Sequence, residues 1–295
     1  MKKLACYLLL AVSAGSSACT IDVQGEESVV REQRRFAVGE TPDLTIRTFD
    51  GSIEIRPWDR AEILVDIERR AGSEAEARQI VIETSNQDGV VRIEARAPER
   101  DGFFEHAGGR SPSVRMLIAV PRRVNVDART GDGAILARDL SGRIELRTGD
   151  GSIRLQGLDG DITISTGDGA VTAGELHGRV AVSTGDGSVN LSGRLDELTA
   201  RTGDGAIDVD ALPGSAMKGD WAISTGDGSV RLRLPTGFNA EIDAHTGDGG
   251  IATHGIVLAQ QSPDRRGGDM RGRVGSGGHL LTIRTGDGAI DVRAQ

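Results

Sequence analysis

Thr-Gly-Asp-Gly occurs eight times in this chain, with its threonine at 130, 148, 166, 184, 202, 225, 246 and 285. The first five recur at a constant 18-residue interval, and the later gaps of 23, 21 and 39 read as the same interval carrying insertions. A fixed interval makes each stretch one structural unit that stacks on the next. Within it, "TGDGSIRLQ" (148–156) and "GLDGDITIS" (157–165) align as two halves, each a glycine-rich corner followed by a short strand. Period-two alternation points Ile144, Leu146, Thr148, Ile153, Leu155 and Leu158 inward, with Glu145, Arg147, Ser152 and Arg154 outward. The next turns repeat this register with Ile162, Ile164, Val171, Ala173, Leu176, Val180 and Val182 inside.

The fold class that follows is all-β: a single-stranded parallel β-solenoid with 18-residue turns, each with two strands and two Gly/Asp corners. Right-handed winding follows from the crossover preference of parallel strands. Composition agrees, since a core two thin sheets deep has room for Ile, Val, Leu and Ala, and aromatics are only 3% of the chain against 42 glycines. The rival is a meander of hairpins turning at Asp-Gly. A hairpin array does not require alternate loops to share one sequence at a constant interval, which favours the solenoid.

The corners have an architectural reading. Gly149 and Gly151 would supply positive φ, Asp150 would cap corner amides, and the inward threonines would hydrogen-bond along their column. Stacking also places Asp132, Asp150, Asp168, Asp186 and Asp204 in a row roughly 5 Å apart, where like charges repel. Calcium is the usual ligand for such a row, and calcium-binding β-rolls share the 18-residue turn. Their aspartate, however, lies two before the aliphatic, whereas Asp150 lies three before Ile153. Arginine precedes the threonine at 129, 147, 201 and 284 and can balance part of the row. No metal site and no cofactor are expected.

The opening segment 1–18, "MKKLACYLLLAVSAGSSA", has the layout of a signal peptide: Lys2 and Lys3, an apolar run from Leu4 to Val12, then small residues. Ser16-Ser17-Ala18-Cys19 resembles the bacterial lipobox, with Ser16 where that motif usually has leucine. Cys6 leaves with the signal, so Cys19 has no partner for an internal disulfide and is assigned as the lipid attachment residue. Thr20 follows it, and resemblance to Gram-negative sorting then implies the outer membrane. Residues 19–35 read as a lipid-anchored tether and 36–126 as an irregular strand-rich part capping the solenoid. "DLTIRTFDGSIEIRPW" (43–58) is a degenerate copy of the repeat, 72–79 a short helix and 100–113 a loop. The regular repeat runs from 127 to 295, with insertions at 210–221 and 256–279.

Net charge is −9 with no basic stripe, which excludes the footprint of a nucleic-acid binder. His177, His245, His254 and His279 fall at unrelated positions without zinc spacing and read as solvated turn or edge residues. No nucleophile elbow is present, and "GRVGSGG" (272–278) lacks the strand-then-helix setting of a phosphate loop. No catalytic residue is assigned.

The lipoprotein-type signal, the strand-rich opening, "VPRRVNVDARTGDGAI" (120–135) and the glycine-aspartate corners resemble the bacterial "putative adhesin" family of unknown function, related to the head domain of auto-transporter adhesins. This chain departs in adding a second glycine after the aspartate. The resemblance covers about residues 43–295 and implies a surface-exposed β-solenoid but no catalytic set. The expected function is a non-catalytic envelope lipoprotein acting as an adhesin-like binding or scaffold module. Its partners would be the membrane, through the N-terminal lipid, and an envelope protein or glycan, with the two insertions as binding segments. The alternatives are a polysaccharide-active enzyme on a β-helix scaffold and a purely structural spacer.

Overall fold

The computed structural model describes residues 20–24, 27–87, 89–97, 111–263 and 268–295. The molecule is all-β, its strands joined in one mixed sheet, with a single short helix, Glu74–Gln79, among the described residues. Most strands belong to layers that are conveniently named by their corner threonine. In the interior, one run of strands pairs in parallel as Ile135, Ile153, Val171, Val189 and Ile207. The other pairs as Val126, Ile144, Ile162, Val180 and Leu198. Each step is one 18-residue turn, and every residue assigned inward from the alternation is buried. The degenerate copy takes its own place, with Ile46 opposite Ala128 and Ile53 opposite Ile135.

A purely parallel sheet is not what forms. At one end Glu62–Ala71 runs antiparallel to Ser113–Pro121, Glu27–Ala37 antiparallel to Glu62–Ala71, and Val81–Gln87 antiparallel to Val90–Arg96. At the other, Asp269–Val274 reverses against Ala240–Thr246, and Leu258–Pro263 against Asp269–Val274. The reason is physical: a parallel stack ends in a row of unpaired amides and carbonyls, and a reversing strand covers them through a short connection. The 256–279 insertion is thus largely an end cap. The first cap closes its inner face with charge, the buried Glu32 carboxylate lying 3.2 Å from Arg69 and 3.5 Å from Arg34.

Layer order also departs from sequence order. After the Thr225 layer the chain skips a place: residues 235–239 carry it past one layer, and Ala240–Thr246 with Ile251–His254 forms the outermost one. The C-terminal strands Leu280–Thr285 and Ile290–Ala294 fill the vacant place. Leu281 faces Trp221 on one side and Ile242 on the other, and Ile290 faces Val230 and Ile251. Trp221 and Phe238, the latter from the skipping connection, are both buried with ring centroids 5.3 Å apart.

The Thr-Gly-Asp-Gly corner works differently from its sequence reading. Gly149 and Gly151 are not in the positive-φ region; in this turn the positive-φ glycines are Gly157 and Gly160, at the second corner. Gly151 is required by contact instead, because a Cβ there would sit 2.0 Å from the carbonyl oxygen of Gly133 in the neighbouring layer. The buried threonines do not bond to one another. Thr166 Oγ1 donates into the pair of carbonyls of Gly149 and Gly151, at 3.1 and 3.0 Å, and Thr148, Thr184, Thr202, Thr225 and Thr285 repeat the geometry. Each threonine therefore clamps two glycine carbonyls of the adjacent layer. Thr166→Val keeps the shape and removes the hydroxyl, so it is expected to cost about 1–2 kcal/mol in urea unfolding. An unchanged midpoint would show that the clamp contributes nothing.

Candidate binding groove

The second corner of each turn follows a different rule. Asp139, Gly157 and Glu175 are equivalent positions of successive turns, each in left-handed backbone with φ of 53°, 66° and 53°. That bend turns the following leucine inward, and Leu140, Leu158 and Leu176 are all buried. Glycine takes this conformation freely, whereas a side chain there costs about 1 kcal/mol or more. The chain nevertheless holds two acidic residues at these positions.

A shallow groove of about 390 Å³ opens on this column, lined by Gly157, Glu175, His177, Arg194, Leu212 and Pro213. Gly157 makes room for its neighbour, since a Cβ there would meet Asp139 Oδ1 at 2.7 Å. Stacking in register builds one wall from Asp159, His177 and Arg194. Arg194 Nε donates to His177 Nε2 at 3.1 Å, which leaves the imidazole proton on Nδ1, 3.6 Å from Asp159 Oδ2. Leu212 and Pro213 come from the 210–221 insertion, which is an enlarged, anchored corner. Leu212 N donates to Gly193 O at 2.8 Å, Ser215 Oγ accepts from Leu195 N at 3.1 Å, and Lys218 pairs with Asp196 at 2.7 Å. Among the described residues, neither Glu175 nor Arg194 has an ion-pair partner. The groove thus presents a carboxylate and a guanidinium without counter-charges among the described residues, together with an imidazole, beside Leu212 and Pro213.

The profile of the Toastrack DUF4097 family matches residues 42–293, from the Thr48 layer to the last strand. The chain belongs to this family. No curated protein matches it. Solved structures with similarity include one described as a "putative lipid binding protein" from Parabacteroides distasonis, at 13% identity and TM-score 0.49 over 89% of this chain and 96% of that one. Another is a "putative adhesin" from Bacteroides fragilis, at 11% identity and TM-score 0.41 over 89% and 96%. A "putative cell adhesion protein" from Clostridium sporogenes matches at 12% identity and TM-score 0.29 over 90% and 100%.

Other residues singled out in this Toastrack sequence take varied places. Cys19, the signal and most of the 100–113 loop lie outside the described residues. The corner aspartates form an exposed row, and among the described residues no three His, Cys, Asp or Glu side chains are grouped as metal ligands. Three of the four arginines that precede a corner threonine pair elsewhere than with that row: Arg129 with Asp127 at 3.0 Å and Glu145 at 3.4 Å, Arg147 with Glu145, and Arg284 with Asp243 at 3.1 Å. They face carboxylates on their own sheet surface because strand alternation points them there, not around the corner. The histidines are not merely solvated. His245 lies 2.6 Å from Asp269, His254 3.8 Å from Asp291 and His279 3.5 Å from Asp220, all in the C-terminal layers and cap. Glu175, His177 and Arg194 were missed as a group. The available signal was Glu175 standing one full turn beyond Gly157, a charged side chain at a glycine position.

Proposed function

We propose that this chain is an exported, lipid-anchored, non-catalytic module of the cell envelope that binds a polar envelope ligand in the second-corner groove. The scaffold on this reading is a right-handed, single-stranded parallel β-solenoid over its interior layers, and the role is adhesin-like, as the sequence resemblance implies. One observation carries it: Glu175 is kept in left-handed backbone, without a counter-charge among the described residues, where the column opens into a groove beside Arg194, which likewise lacks one. Strain held at a position that glycine could fill at lower cost calls for a use of the side chain. A ligand with both an acceptor for Arg194 and a donor for Glu175 fits this rim, and the few aromatics argue against sugar stacking.

Glu175→Gly separates binding from folding. It removes the carboxylate and the strain together, so stability is expected to stay level or rise by up to about 1 kcal/mol. Capture of envelope components by the immobilised chain is expected to fall at least tenfold, and Arg194→Gln to fall with it. Undiminished capture by both variants would move the site elsewhere, and no capture by the parent chain would favour a spacer.

Anchorage rests on Cys19 and its setting. Labelled fatty acid is expected in the parent chain and absent from Cys19→Ala, with the label in the outer-membrane fraction. Equal labelling of the two would remove the anchor.

A further inference from the structure

The place filled by the C-terminal layer has unusual properties. Its occupant, residues 280–294, is bounded by parallel strands on both sides, and Leu281, Ile283, Ile290 and Val292 are fully buried. None of those neighbours is close in sequence. Leu281 pairs with Trp221 and Ile242, both far back along the chain. The segment follows Gly275-Ser276-Gly277-Gly278-His279, in which Gly275, Gly277 and Gly278 have positive φ. At its far end Gln295 N donates to Leu234 O and Gln295 O accepts from Thr236 Oγ1.

The segment is also not unique in sequence. "LTIRTGDGAIDVRA" (281–294) repeats "LTARTGDGAIDVDA" (198–211) at 12 of 14 positions, so its layer contacts are those of a generic turn. The corner clamp shows this. Thr285 Oγ1 bonds Gly228 O at 2.8 Å, and Thr246 Oγ1 bonds Gly288 O at 2.8 Å, as in any other pair of layers.

We propose that residues 280–294 are an exchangeable element and that the place between the Thr225 and Thr246 layers accepts this segment from a second copy of the chain. A two-fold exchanged dimer would remake every strand pairing and clamp of the single chain. Its formation then depends on the connection and on concentration rather than on new contacts. Five extended residues span at most about 18 Å, enough to reach an adjoining copy. The glycine-rich connection permits both the folded-back and the extended course.

The test uses two full-length variants in a background lacking Cys6 and Cys19, one with Ala222→Cys and one with Thr282→Cys. These positions are direct partners in the parallel register. The two chains are unfolded, refolded together at high concentration and treated with a short thiol cross-linker. Exchange predicts a product of twice the monomer mass containing both variants. A single chain carrying both cysteines, refolded dilute, reports the internal link. Deleting Gly277 and Gly278 is expected to raise the mixed product several-fold, because a shorter connection hinders folding back. Internal linkage without a mixed product, with and without the deletion, overturns the proposal. So does a parent chain that stays at monomer mass by light scattering after refolding at high concentration.

Discussion

Gly169→Ala is expected to lower stability by more than about 4 kcal/mol, beyond the usual range of single substitutions and a large share of what a domain possesses. The new Cβ would lie 2.0 Å from Gly151 O, 2.6 Å from its carbonyl carbon and 2.7 Å from Thr166 Oγ1. Neither obstacle can yield cheaply. Gly151 O receives the Thr166 hydroxyl at 3.0 Å, and Gly151 is itself pressed against Gly133. Moving one layer outward would separate the strand ladders on both sides of the corner, since parallel strands hold a spacing of about 4.8 Å. Gly39→Ala is the control: nothing lies within 4 Å of its added methyl, and the change is expected to stay within about 0.5 kcal/mol. Urea unfolding of both variants decides the matter. A Gly169→Ala midpoint close to that of Gly39→Ala would mean that the corner backbones are not in the contact described.

Removing residues 149–166 is expected to leave a shorter folded protein, whereas removing 149–157 is expected to abolish the fold. The longer deletion joins Thr148 to Gly167-Asp168-Gly169 and takes out one layer, so Ile135, which faces Ile153, would face Val171. Layers touch mainly their neighbours, so the loss is about one interface. The shorter deletion joins Thr148 to Leu158-Asp159-Gly160, loses the left-handed Gly157 and sets what remains of a second corner over a Thr-Gly-Asp-Gly corner. Inward leucine and threonine would then change places, and the clamp on Gly131 and Gly133 would have no continuation. Circular dichroism and thermal melting separate the outcomes. Equal melting temperatures for the two deletions would exclude the 18-residue layer.

Much of this architecture is legible in the sequence. Alternation assigned Ile144, Leu146, Ile153 and Leu155 inward, and the degenerate copy at 43–58 was visible from its Thr-Phe-Asp-Gly corner. Both readings depend on local periodicity, which sterics impose on any strand. The function of the glycines was misread for an equally physical reason. A glycine in a string can mean freedom of φ or absence of Cβ, and only the distance from Gly151 to Gly133 tells which applies. The groove was illegible because Glu175 and His177 belong to one turn and Arg194 to the next, and they meet Leu212 and Pro213 only when the enlarged corner folds back over them.

The string itself determined the layer: its 18-residue length, its two corners, its inner and outer faces, and the threonine that each corner buries. These are set by residue spacing and hold wherever the unit is placed. Tertiary structure alone decided the order of the layers. Residues 198–211 and 281–294 are nearly identical, so no local preference distinguishes the neighbours that either should choose. The choice falls to the parts that do not repeat. Residues 235–239 bypass a place, Phe238 packs on Trp221, and the antiparallel cap on Ala240–Thr246 closes the end, so the vacancy that remains has the width of one turn and is filled by the last strands of the chain.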